Sequence, residues 1–330
     1  MERRTFERIG REVSAVGLGT WQLGADWGAV DDREALAVLH AAADAGVTFL
    51  DTADVYGDGR SERLIGAFLR ERGGDGPPVT VATKAGRRAA RQDPAAYTLD
   101  NLRAWTDRSR RLLGVDRLDL VQLHCPPGVV VSSGAVYDAL DTLVDEKRVA
   151  AYGVSVETCE EALAAIARPG VASVQIILNA FRRKPLERVL PAAREAGVGI
   201  VARVPLASGL LSGAYRHDSA FAPDDHRAYN RGGASFDVGE TFSGVDYADG
   251  VDAAAEFAAL APAGATPAQT ALRWILQQPG VTTVIPGARS AAQVRANAAA
   301  AALPPLDAAT LAAVEALYDR RIRAAVHHRW

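Results

Sequence analysis

Eight times along this chain a strand-length apolar run gives way to helical sequence, and no other feature constrains the fold as tightly. The apolar runs fall at 16–21, 47–51, 79–83, 118–123, 149–156, 173–178, 199–204 and 283–285. Helix signals separate them. Asp31 or Asp32 caps a helix that reaches Ala45 and stops at Gly46, the residue type favoured just past a helix end. Within 134–147, Val136, Ala139, Leu140, Leu143 and Val144 form one stripe, the spacing of a single buried face. Thr266 and Pro267 supply a cap and a first-turn proline, and Gln278-Pro279-Gly280 ends that helix. Strands that alternate with helices pair in parallel with the helices outside, and eight such units suit a closed (β/α)8 TIM barrel. An open, doubly wound sheet is the structural rival. Ahead of the first unit, 5–9, a turn at Gly10 and 11–16 have the pattern of a β-hairpin.

No linker or break in composition divides the 330 residues, so one domain over 1–330 is expected. The 37 Lys and Arg nearly balance the 40 Asp and Glu, giving a net charge of −3, which lacks the basic footprint of a nucleic-acid binder. A hydrophobic content of 48% argues against disorder. The two cysteines, Cys125 and Cys159, are far apart and outside any CxxC pair, as expected of reduced thiols in a cytoplasmic protein. The opening residues lack the apolar stretch of a signal peptide, and no apolar run is long enough to span a bilayer. Adjacent His327 and His328 lack a third spaced ligand, so no metal is assigned.

One segment breaks the rhythm. From 215 to 245 the chain is rich in Gly, Asp, Arg and His without an apolar period, and it leaves the seventh strand, where a barrel keeps its active face. A lid over the site is the expectation there, with a disordered insertion as the alternative. The run Asp224-Asp225-His226-Arg227 within it is either part of a clamp or solvated charge.

Barrel chemistry is done at the C-terminal ends of the strands. Asp51 ends the second strand with Tyr56 in its loop, Lys84 ends the third, and His124 ends the fourth. A phenol with an ordinary pKa of about 10 gives up its proton reluctantly at neutral pH. An adjacent ammonium lowers that value, a carboxylate behind it keeps the ammonium charged, and a nearby imidazole orients an oxygen acceptor. Such a group protonates an oxygen on which negative charge is building, as in carbonyl reduction by hydride. Singly, each residue has a structural use: Asp51 as a turn cap, Lys84 as an ion-pair partner, His124 as a satisfied loop histidine, Tyr56 as packing. Their arrival at three consecutive strand ends favours the chemical reading.

Several motifs follow one another in a fixed order. They include Gly17-Leu18-Gly19-Thr20-Trp21, Asp51-Thr52-Ala53-Asp54-Val55-Tyr56-Gly57, Ala82-Thr83-Lys84 and Leu118-Asp119-Leu120-Val121-Gln122-Leu123-His124. Gly153-Val154-Ser155, Pro205-Leu206-Ala207-Ser208-Gly209-Leu210-Leu211 and Ile285-Pro286-Gly287-Ala288-Arg289-Ser290 complete the series. With these motifs the sequence resembles the aldo-keto reductase superfamily over nearly its whole length. The resemblance implies a barrel closed at its bottom by the N-terminal hairpin, a nicotinamide cofactor bound without a Rossmann domain, and a catalytic tetrad of Asp51, Tyr56, Lys84 and His124.

It also implies cofactor contacts from Gly19, Thr20 and Asp51, and from Ser155 and Gln175 at the carboxamide. Leu206, Ser208, Gly209 and Leu210 would lie along the pyrophosphate. Gly287, Arg289, Ser290, Gln293 and Asn297 match the adenosine-phosphate site, where Arg289 would grip a 2′-phosphate and favour NADPH over NADH. Two positions depart from the pattern. Val156 replaces an Asn that would hold the carboxamide, and Arg203 replaces an aromatic residue that would stack on the nicotinamide. A guanidinium also stacks but carries charge, so Arg203 is expected to disfavour the cationic oxidised ring and bias the protein toward reduction. The alternative is an Arg203 turned away into an ion pair. Trp21, Tyr56 and His124 are expected to line the substrate pocket, and the tail His327-His328-Arg329-Trp330 to fray, with folding over that pocket as the alternative.

The resulting expectation is NADPH-dependent reduction of a small aldehyde or ketone, without nucleic acid or membrane and with the oligomeric state open. The alternatives are a redox-sensing interaction protein of the channel-subunit type and a barrel lyase or dehydratase without net redox.

Overall fold

The protein is described here from a computed structural model covering residues 1–24, 27 and 30–330. Two short antiparallel strands, β1 (Arg3–Phe6) and β2 (Arg11–Ser14), open the chain. The turn between them needs the left-handed conformation of Gly10, at φ 69°. β1 begins and ends earlier than the 5–9 run read from the sequence, because 7–9 tighten into a 3-10 turn that reverses the chain.

Eight parallel strands follow: β3 (Leu18–Gly19), β4 (Phe49–Asp51), β5 (Thr80–Ala85), β6 (Leu120–His124), β7 (Tyr152–Ser155), β8 (Val171–Ile177), β9 (Gly199–Arg203) and β10 (Val281–Val284). Each pairs with the next in chain order. The ends of the sheet meet through bridges Val16 to Val284 and Gly19 to Gly287, and Gly17 N donates to Val284 O at 2.8 Å. The sheet is therefore a closed barrel, and the doubly wound alternative falls away.

The hairpin plugs one end of the barrel. Phe6 and Val13 are fully buried among Phe49, Ala82, Leu120, Ala151, Ala172, Val201 and Ile285. β9 starts with a glycine for the same reason, since a Cβ at Gly199 would lie 2.1 Å from the Phe6 ring. The plug seals the end opposite the C-terminal rim, so ligands have access from one side.

Helices Asp32–Asp44, Arg60–Arg72, Leu99–Leu113, Gly134–Asp145, Cys159–Ile166, Val189–Ala196, Pro267–Leu276 and Ala291–Ala299 cover the outside. Two of their starts follow the caps read from the sequence, at Asp31 and Thr266. Asp31, Thr158 and Thr266 close capping boxes with Glu34, Glu161 and Gln269.

The 215–245 segment is folded against the barrel. It holds a short helix, His226–Tyr229, and buries Asp225, His226, Asn230 and Glu240. The Arg227 guanidinium lies 4.6 Å from both the Trp27 and Phe221 rings and pairs with Asp225. Asp224 is exposed, but the next three residues of that run are structural, which corrects the solvated-charge alternative. The tail also departs from expectation. Trp330 is 5% exposed, donates from Nε1 to Asp237 Oδ1 at 3.1 Å, and carries the Arg182 guanidinium 3.4 Å from its ring. A large aromatic ring with a polar edge gains more from this pocket than a frayed end gains in chain entropy.

Candidate active site

Asp51 pairs with Ala82 and Lys84 with Gln122, so the register steps up two residues from β4 to β5 and two more from β5 to β6, and Asp51, Lys84 and His124 follow one another along the C-terminal rim. Lys84 is 1% exposed and each ammonium donor has an acceptor. Nζ donates to Asp51 Oδ1 at 2.5 Å, to Thr52 O at 3.0 Å and to Tyr56 Oη at 3.5 Å. The other oxygen of Asp51 accepts from Gln175 Nε2 at 2.7 Å and from Gln122 Nε2 at 3.4 Å. The His124 ring meets the Tyr56 ring edge to face, with centroids 5.9 Å apart. Phenol, ammonium, carboxylate and imidazole form one contiguous group.

Glycines fix where Tyr56 stands. A Cβ at Gly24 would fall 2.7 Å from the Tyr56 backbone, and one at Gly57, whose φ is 58°, would fall 2.5 Å from Gly24 O. Short helix Trp21–Gly24 can therefore lie directly on the Tyr56 loop. Trp21 stacks on Tyr56 with centroids 6.0 Å apart, and His226 and Phe236 from the long segment also pack against Trp21, at 4.9 and 5.6 Å.

The electrostatics correct one expectation. Burial pushes the Tyr56 phenol above its usual range, and the opposing pull of Lys84 does not reverse that. Tyr56 therefore rests protonated, the form required of a proton donor. Burial disfavours the Lys84 charge most strongly, but Asp51 and the Tyr56 oxygen together outweigh it and hold the ammonium above its usual range. Burial, followed by the Arg87, Lys84 and Arg203 charges, drives His124 well below its usual value and keeps the imidazole neutral. Its Nδ1 is buried without a partner among the described residues.

A groove of about 570 Å³ runs from Tyr56 and Asp51 across the mouth of the barrel, within the size range of small-molecule sites. Gly19, Thr20, Trp21, Gln175, Arg203, Leu206, Ser208 and Gly209 line it, and Gly287, Arg289, Gln293 and Asn297 line its far end. There the Ser290 side chain caps the Ala291–Ala299 helix, whose first N–H groups suit an anion. His124, expected in the pocket wall, stands against the Tyr56 ring but does not itself line the groove, and neither does Leu210. Leu210 is fully buried, with Cδ1 only 2.8 Å from where a Gly250 Cβ would be. Ser155 is also behind the wall, its Oγ 3.4 Å from Cys125 Sγ. The backbone is strained where the groove leaves β9: Val204, Ala207 and Ser208 have φ of 50°, 48° and 54°. Left-handed conformations in non-glycine residues cost roughly 1–3 kcal/mol each and cluster at ligand sites.

The sequence profile of the Aldo/keto reductase family matches residues 15–319. The chain belongs to that family. Aldo-keto reductase YhdN of Bacillus subtilis is 30% identical over 303 residues, 90% of this chain and 87% of that protein. A glycerol dehydrogenase structure from Gluconobacter oxydans superposes with a TM-score of 0.74 at 28% identity, over 97% of this chain and 96% of that one. An aldo-keto reductase structure from Klebsiella pneumoniae in complex with NADPH gives 0.70 at 25% identity, over 96% and 95%.

In this aldo-keto reductase the groove wall at β9 carries a charge network. Arg203 Nη2 pairs with Glu157 Oε2 at 2.8 Å and donates to Val156 O at 3.1 Å, while Nη1 lies 3.7 Å from Glu240 Oε2. Arg87 holds the other Glu240 oxygen at 2.6 Å. Burial raises the Glu157 pKa; burial also opposes the Glu240 charge, but Arg87 and Arg203 hold that carboxyl low. Arg203 is thus ion-paired, the alternative left open by the sequence, and two carboxylates offset the charge expected to act on the cofactor. Cys125, Glu157 and Glu240 bring ligand-type atoms within 4.8 Å of one another, but the guanidinium already serves as the cation there.

Sequence reasoning missed Arg87, Glu157 and Glu240, and it missed Trp27 and Tyr215 in the groove wall. Glu157 follows the altered Val156 directly, and that neighbouring change was the available signal. Glu240 comes from the aperiodic segment, where spacing carries no information about what a side chain meets.

Proposed function

We propose that this protein reduces an aldehyde or ketone with NADPH, with Tyr56 as the proton donor. The observation that carries the reading is the chain from Asp51 Oδ1 through Lys84 Nζ to Tyr56 Oη, lying in one end of the groove. NADPH bound in the groove would supply a hydride to the carbonyl carbon. The groove suits such a ligand, with Arg289, Gln293 and a capped helix start at one end and the phenol at the other. Arg289 supports NADPH over NADH, because a planar guanidinium fork matches a 2′-phosphate. Tyr56 holds its proton at the groove until the carbonyl oxygen becomes basic enough to take it. Lys84 then faces the phenolate left behind, and Asp51 keeps Lys84 charged. Neutral His124 donates a hydrogen bond to the carbonyl oxygen and orients it. Trp21 and Trp27 provide apolar surface for the rest of the substrate.

Loss of NADPH absorbance against a panel of aldehydes, ketones and keto-sugars, with NADH in parallel, tests the reading. Tyr56→Phe is expected to lower kcat at least about 100-fold, in keeping with loss of a general acid, while the NADPH Kd changes less than about threefold. Full turnover in Tyr56→Phe, or carbonyl conversion without NADPH consumption, would overturn it.

A further inference from the structure

Buried N–H groups in folded proteins almost always have acceptors, so a lone one at the wall of a groove points to a ligand atom. Arg203 ends β9 at the inner part of the groove and is 7% exposed. Glu157, Glu240 and the Val156 carbonyl fix its two Nη groups. Its Nε–H is buried and has no partner among the described residues. Gln175 lines the same part of the groove. Its Nε2 is committed to Asp51 at 2.7 Å, leaving Oε1 as an acceptor. The β8–β9 register sets Gln175 opposite Val201, two residues before Arg203, so the groove wall carries this donor and this acceptor on adjacent strands. A primary carboxamide presents the complement, a carbonyl oxygen beside an NH2.

We propose that Arg203 is a cofactor-binding residue whose Nε–H donates to the carboxamide oxygen of the nicotinamide while Gln175 Oε1 accepts from the carboxamide NH2. The inference rests on the groove holding a nicotinamide dinucleotide, as proposed above. It gives a reason for the two departures from the family pattern to occur together. Val156 has no side-chain donor, and the guanidinium beside its carbonyl supplies one from β9, two strands away in the sheet. The two carboxylates have separate roles in this arrangement. They anchor the fork so that Nε is presented in one orientation, and they offset part of its charge, Glu240 being shared with Arg87, which lessens the repulsion of an oxidised ring. Oxidised and reduced cofactor should therefore depend on Arg203 alike, contrary to the bias toward reduction that the sequence alone suggested.

The test is calorimetric titration of the whole protein with NADPH, NADP⁺ and 2′-phospho-ADP-ribose, which lacks the nicotinamide. Arg203→Met with Glu157→Gln removes the donor without stranding an acid, and Arg203→Lys keeps the charge for Glu157 but lacks the Nε–H. Both are expected to bind the two dinucleotides about tenfold more weakly, as for a lost charge-assisted hydrogen bond, and the fragment within twofold of wild type. Unchanged dinucleotide affinity, or equal weakening of all three ligands, would overturn the proposal. A wild-type protein that binds none of the three would overturn the functional reading along with it, whereas selective failure of the variants' prediction leaves that reading standing.

Discussion

At the residue scale the site depends on charges that burial makes costly. Asp54 shows the cost most directly. It is fully buried behind the Tyr56 loop, neither carboxyl oxygen has a hydrogen-bond partner among the described residues, and Arg88 Nε approaches only to 3.3 Å. Burial, reinforced by the Glu62 charge, pushes its pKa up to about 7. A carboxyl that ionises near pH 4 unfolded and near pH 7 folded leaves the folded state holding more protons between those limits. Stability must therefore fall as pH rises through that window. Urea unfolding at pH 5 and pH 8 is expected to show a loss of roughly 2 kcal/mol on Asp54's account, and Asp54→Asn should flatten it. Glu62 and Glu157, whose pKa values burial also raises, leave a residual slope of the same sign. Parallel losses in wild type and variant would reject this account of Asp54.

At the element scale the hairpin β1–β2 does work out of proportion to its length. Its Phe6 ring is stacked on Phe49 with centroids 6.2 Å apart and fills the space that Gly199 leaves open. Phe6→Ala would empty that space, and deletions of this size in well-packed cores cost about 3–5 kcal/mol. A large drop in Tm is expected, with kcat at low temperature close to wild type because the rim proposed to carry the chemistry lies at the other end of the barrel. A loss of kcat as large as the loss of stability would show that plug and rim are coupled. The strand-to-helix alternation was legible because each unit carries its own start and stop. Thr266-Pro267 and Asp31 announce helices locally, and the structure places helix starts one residue past Thr266 and Asp31.

At the scale of the whole molecule the C-terminus and the long segment after β9 act together. Trp330 packs over Gly239 and Gly244 and accepts Arg182 on its ring, and the stretch it supports carries Glu240 to Arg203 and Arg87. The last residue of the chain thus props a carboxylate in the groove wall. Trp330→Ala is expected to cost about 3 kcal/mol of stability, to speed limited proteolysis within 215–245, and to weaken NADPH binding several-fold. Unchanged cleavage of that segment would show that the tail only covers surface.

What the sequence by itself determined was the barrel and which side chains gather at its C-terminal rim. Periodicity, capping and strand ends are local properties, and Asp51, Lys84 and His124 each stand at a strand end that the local pattern marks. The tertiary structure alone decided the sign of the Tyr56 shift, the pairing of Arg203 and the docking of Trp330. Each depends on burial and on partners tens to hundreds of residues away, and the spacing of residues along a chain carries no record of which distant charge will stand beside a side chain or how much water will remain around it.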